Sequence, residues 1–192
     1  MARKIAGILL FIAGLYIALS NFSSWQEGRA SVTPYTKHEQ QKYEPRLPNA
    51  TKSDKTVSHA YSQGEVVATL IIPKIEQKFT VYWGTDENTL SKGVGMFSSR
   101  LTTTPGLGHT VLSGHRDTVF AGLEKLKTGD KLIVNFEEQS YTYIIEKIWI
   151  TDKDDRTVIV KKNEPILTLT TCYPFTYVGN APDRYILQGK LL

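Results

Sequence analysis

From about His59 onward the chain is a series of short β-rich runs broken by Gly, Pro, Asn and Asp, and this texture limits the fold most. VVATLIIP (66–73), KFTVYWG (78–84), HTVLSGH (109–115) and KLIVNF (131–136) each read as a strand. So do QSYTYIIEKIWIT (139–151), RTVIV (156–160), ILTLTTC (166–172) and RYILQGKLL (184–192). The runs on either side of Glu137-Glu138 alternate like a hairpin. DENTLSKG (86–93) reads as a short helix that Asp86 caps and Gly93 stops. TVFAGLEKLKTGD (118–130) reads as a second short helix, with Phe120, Leu123 and Leu126 on one face. About eight short strands at this spacing predict an all-β domain, a closed barrel or a sandwich. Closure also protects strand edges.

The N-terminus has a different character. Arg3 and Lys4 precede IAGILLFIAGLYIALS, and no charge occurs from Ile5 to Gln26. An 18-residue helix is roughly 27 Å long, close to the hydrocarbon thickness of a bilayer. Tyr16, Phe22 and Trp25 are suited to an interface, and Arg3 and Lys4 favour a cytoplasmic N-terminus. The expectation is a single-pass anchor with everything after about Gln26 outside. A cleaved signal peptide ending at Ala18-Leu19-Ser20 competes with it, although the n-region is short and the apolar run long.

Residues 27–58 are polar and interrupted by Pro34, Pro45 and Pro48, with no apolar periodicity. They read as an extended tether. The expected division is therefore 1–25 anchor, 26–58 extracellular tether and 59–192 β-rich domain, which the family resemblance given below makes a catalytic barrel. The net charge of +4 is not gathered into a basic stripe with interleaved aromatics, which argues against a nucleic-acid partner.

Cys172, in TLTTCYPF, is the sole cysteine of the sequence, so the chain has no disulfide framework. It is either a small buried hydrophobe or a nucleophile. A nucleophilic thiol needs a base or a cation nearby and a group to stabilise an oxyanion. Four histidines are candidates. His38 lies in the tether and His59 at the start of the domain. His109 and His115 bracket one strand at even spacing, on the same face but at opposite ends. His115 stands where that strand ends, in GHRD. Arg184 opens the last strand, twelve residues after Cys172 closes the one before. If those strands pair antiparallel, Cys172 and Arg184 are neighbours across the ladder, below the loop YPFTYVGNAPD.

TLTTC, an arginine on the following strand and an upstream VLSGHRDTVFAGL together resemble the sortase family. The fixed positions of that family's TLxTC stretch are matched by Thr168, Leu169, Thr171 and Cys172. The resemblance covers Glu65 to Leu192 and includes the order anchor, tether, barrel. It implies a closed eight-stranded sortase-type β-barrel with two short helices, preceded by a transmembrane helix. It also implies a cysteine transpeptidase that needs no cofactor. Its partners would be surface proteins with an LPxTG-like sorting signal, LPNTA among them, and an amine of a peptidoglycan precursor or wall peptide. Cys172 would attack the Thr carbonyl, His115 would move the proton, and Arg184 would stabilise the oxyanion or position the peptide. Thr171 would bind substrate, or is a plain strand threonine. No acidic cluster in the sequence suggests the calcium site of some relatives.

The N-terminal anchor and GHRDT look most like the class D group of bacilli. The Asp-Pro-aromatic lid of pilus-assembling relatives has no counterpart between Glu27 and Ser58. Arg46-Leu47-Pro48-Asn49-Ala50 resembles a sorting signal that lacks its Thr, by chance or as a self-inhibitor. Competing functions are an L,D-transpeptidase, which has a different cysteine context, an exported cysteine peptidase, and a non-enzymatic wall-binding β-domain.

Overall fold

The computed structural model describes residues 2–36, 61–176 and 179–192. Histidines 38 and 59 and the Arg46–Ala50 stretch lie outside the described residues. Helix α1 (Ala2–Ala30) is the apolar N-terminal segment. From Arg3 to Ala30 it is long and apolar enough to cross a membrane, with a peak window of mean hydropathy 2.1 and none of that window buried.

The strands are β1 (Val32–Pro34), β2 (Val66–Ile72), β3 (Gln77–Trp83), β4 (Val94–Met96) and β5 (His109–Ser113), then β6 (Lys131–Phe136), β7 (Gln139–Asp152), β8 (Ile166–Tyr173) and β9 (Asp183–Leu191). Their order across the sheet is β1-β3-β2-β6-β7-β9-β8-β5-β4, and β3 also pairs with β4. That last pairing closes eight strands into a barrel, as expected, with β1 as an additional strand on the edge of β3. Strand β3 serves two partners along one edge. Gln77 to Phe79 pair with β1, and Val81 to Trp83 pair with β4.

Alternation explains the core. Ala68, Leu70 and Ile72 of β2, Leu132 and Val134 of β6, and Leu167 and Leu169 of β8 all point inward, where Phe79 and Phe120 meet edge to face. The neighbouring positions Ile71 and Ile133 point outward, and Tyr35 covers them, which gives a second buried cluster outside the barrel. The first part of the expected tether is therefore structured: α1 continues to Ala30, Val32–Pro34 pair with β3, and the Tyr35 amide donates to the Glu76 carbonyl at 2.9 Å.

Two local expectations are corrected. Helix α2 (Glu87–Lys92) forms where Asp86 caps it, with the Thr89 amide bonded to the Asp86 carboxylate at 3.1 Å. The second helix, over 118–130, does not form. Gly122 takes φ +99°, outside the helical region, and only the 3₁₀ turn Leu123–Lys125 follows. Phe120, Leu123 and Leu126 are still buried, as their spacing suggests. RTVIV is not a strand. The Asp152 carboxylate accepts from the Asp154 amide and the Asp155 carboxylate from the Thr157 amide, both at 2.8 Å, so side chains turn the backbone away from a ladder.

Candidate active site

Strand β8 lies between β5, to which it is parallel, and β9, to which it is antiparallel. Cys172 and Arg184 are Cα partners in the β8–β9 ladder, and Thr151 of β7 pairs with Arg184 from the other side. The parallel register couples Ser113 with Thr170. Two residues further along each chain stand His115 and Cys172. Past the end of β5 the pairing continues: the Gly114 amide donates to the Thr170 carbonyl at 3.3 Å, and the Thr171 hydroxyl donates to the Gly114 carbonyl at 2.7 Å. His115 is thereby delivered beside the thiol.

Cys172, His115 and Arg184 line one groove of about 440 Å³ on the outer face of the barrel. Its other walls include Leu90 of α2, Phe97, and Val158 and Ile159 of the β7–β8 connection. The Cys172 thiol is free and half-buried. One guanidinium nitrogen of Arg184 donates to the carbonyls of Asp183 at 3.0 Å and Ala181 at 3.3 Å, which holds the side chain at the start of β9. Among the described residues no carboxylate forms an ion pair with it. The remaining donors of its planar fork are available to an anionic oxygen.

The two strand-end histidines separate. His109 is fully buried. Its Nδ1 lies 2.6 Å from the Val160 carbonyl and its Nε2 lies 2.8 Å from the Thr168 hydroxyl. A carbonyl only accepts, so Nδ1 carries the proton and the hydroxyl donates to Nε2. The Thr168 oxygen in turn accepts from Gln188 at 3.1 Å. Burial keeps His109 below its ordinary pKa, partly opposed by its bond to Val160. This histidine holds the β7–β8 connection down and lies away from the groove.

Thr171 is buried, and its hydroxyl proton is committed to Gly114. Sequence reasoning overlooked three features. One is the wall at Val158 and Ile159, hidden because RTVIV reads as a strand. Another is Gly114, whose neighbours leave no room for a side chain: a Cβ there would lie 2.6 Å from Val119 Cγ2 and 2.9 Å from Phe120 Cδ2. The third is Arg116, which donates to the Gly179 carbonyl at 2.9 Å and ties the histidine turn to the β8–β9 connection. The GHRD turn hinted at the last two.

The parallel β5–β8 and antiparallel β8–β9 ladders of a closed mixed barrel thus converge on a cysteine, a histidine and an arginine. The family model for the sortase domain matches residues 70–192, and the chain belongs to the sortase family, whose members are transpeptidases. Its similarity is to class D. It is 38% identical to Sortase D of Bacillus subtilis strain 168, over 98% of both chains. Among solved structures, the catalytic domain of B. anthracis SrtD aligns with a TM-score of 0.62 at 60% identity, covering 73% of this chain and 96% of that one. A Clostridium perfringens Sortase D5 transpeptidase aligns with a TM-score of 0.62 at 25% identity, covering 82% of this chain and 89% of that one.

Proposed function

We propose that this chain is a membrane-anchored sortase that cuts surface proteins at an LPxTG-like signal, LPNTA among the candidates, and joins them to a cell-wall amine. The Cys172 sulfur attacks the carbonyl carbon of the signal's Thr. The C–N bond breaks as His115 gives a proton to the leaving amine, and a thioacyl enzyme remains. An amine of a wall peptide or its precursor then attacks that carbonyl. Its proton passes to His115, and the C–S bond breaks to release the new amide. Arg184 stabilises the oxyanion of each tetrahedral state. Thr171 acts through Gly114: its hydroxyl fixes the turn that presents His115 at the groove. The N-terminus is cytoplasmic, by the charge of Arg3 and Lys4, and the barrel stands outside as the catalytic domain.

The observation that carries this reading is the convergence of Cys172, His115 and Arg184 on one groove by strand register. The test is incubation of the enzyme with LPNTA- and LPNTG-type peptides and an amine acceptor, followed by mass spectrometry beside Cys172→Ala. The expected results are an adduct ending at the peptide's Thr, amine-dependent transfer, and loss of both in the variant. Hydrolysis that ignores the amine would make the protein a peptidase instead.

A further inference from the structure

The described part of residues 27–36 does not behave as a spacer. Helix α1 is exposed along nearly all its length, yet Gly28, near its end, is buried. A Cβ at Gly28 would lie 3.2 Å from the Ser91 carbonyl oxygen of α2 and 3.4 Å from Thr118 Cβ, so the helix backbone itself is in contact. Both neighbours belong to the surroundings of the groove: α2 supplies the wall residue Leu90, and Thr118 follows His115 by three positions. The chain then stays attached. The Ser31 hydroxyl donates back to the Gly28 carbonyl at 2.8 Å, the Thr80 amide donates to the Ser31 carbonyl at 3.4 Å, and β1 joins β3. Tyr35 seals Ile71 and Ile133.

The next described residue, Tyr61, is also on the barrel. Its ring lies 5.0 Å from that of Trp83, and its hydroxyl bonds to Glu137. Tyr35 and Tyr61, on either side of 37–60, thus both pack on the barrel.

The geometry assigns the α1–α2 junction, and not residues 37–60, as the link that sets the height of the groove, so that the barrel rests on the lipid headgroups. The uncharged run Ile5 to Gln26 is roughly 33 Å of helix, which fills a hydrocarbon core of about 30 Å. Gly28 follows two residues later, roughly 3 Å further along the axis. Contact with the barrel therefore falls within the headgroup layer. The partner surface is the bilayer itself, and the groove is held beside it by a rigid strut. This rests on α1 being a membrane span, and is independent of the acyl-transfer chemistry.

The experiment uses the full chain in lipid nanodiscs, with a donor fluorophore on Cys172, the single thiol, and acceptor fluorophores on lipid headgroups. A flexible insert of about 20 residues has an r.m.s. reach of roughly 25 Å. Placed within residues 37–60, it should leave energy transfer unchanged. Placed between Gln26 and Glu27, ahead of the Gly28 contact, it should lower transfer. A fall on lengthening 37–60, an unchanged signal from the Gln26–Glu27 insert, or no transfer in the parent protein overturns the proposal. Peptide cleavage by unlabelled samples verifies that each barrel is folded. Loss of cleavage in the parent with the expected transfer pattern would remove the catalytic reading and leave the strut intact.

Discussion

Cys172 and Arg184 face each other as partners in the β8–β9 ladder, so a thiol and a guanidinium are set side by side by main-chain hydrogen bonding and not by flexible loops. Arg184→Ala should lower kcat/KM by about 10²- to 10³-fold, the cost of losing one oxyanion donor. Arg184→Lys should recover little, because an ammonium cannot hold the main-chain carbonyls and reach an oxygen with the same planar fork. Steady-state kinetics on a sorting peptide, with melting curves to show an unchanged fold, are the check.

Gly114 is the point at which β5 turns out to present His115. A methyl group there would press on Val119 and Phe120. Gly114→Ala should destabilise by about 1–3 kcal/mol and displace the imidazole, with activity falling more than stability. Thr171→Val, which leaves the Gly114 carbonyl without its donor, should cost about 1–3 kcal/mol, and Thr171→Ser should cost far less. Thermal denaturation beside peptide turnover separates these effects.

His109 gives stability a pH dependence. Its folded pKa lies below the unfolded value of about 6.5 because burial disfavours the imidazolium. The unfolded chain therefore takes up the proton first as pH falls, and stability should decline from about pH 6.5 down towards the folded pKa. Above that range the contribution is complete. Denaturant titrations from pH 8 to 5 should show this slope, and His109→Gln should flatten it while lowering stability at neutral pH.

Tyr35 should matter to a domain whose core lies on the other side of the sheet. Tyr35→Ala uncovers Ile71 and Ile133 and should cost about 3 kcal/mol, the low end for removing a buried aromatic ring. Equilibrium unfolding of the full chain in detergent is the measurement. A loss under 1 kcal/mol would mean that the strap does not contribute to the barrel.

The juxtaposition of Cys172, His115 and Arg184 was legible in the sequence because it depends on strand order and register. Cys172 ends one strand and Arg184 begins the next, and an antiparallel pair must bring them together. Other features depend on what side chains do to the backbone. Asp152 and Asp155 bend RTVIV out of a ladder by accepting nearby amides, which composition does not reveal. Gly122 ends a helix that Phe120, Leu123 and Leu126 advertise by spacing. Strands β1 and β4 are three residues each, too short for periodicity to register, and tertiary pairing alone defines them. The even spacing of His109 and His115 is compatible with two sites. Only the descent of Val160 onto His109 shows which histidine is buried.

The double service of β3 closes one way of enlarging this sheet. With β1 and β4 sharing the edge of β3 that β2 does not use, an extended peptide meets no free row of amides and carbonyls at that seam. The outer side of β1 is only three residues and ends in a proline without an N–H. Strand addition there, which recognises main chain with little regard to sequence, has almost no ladder to extend.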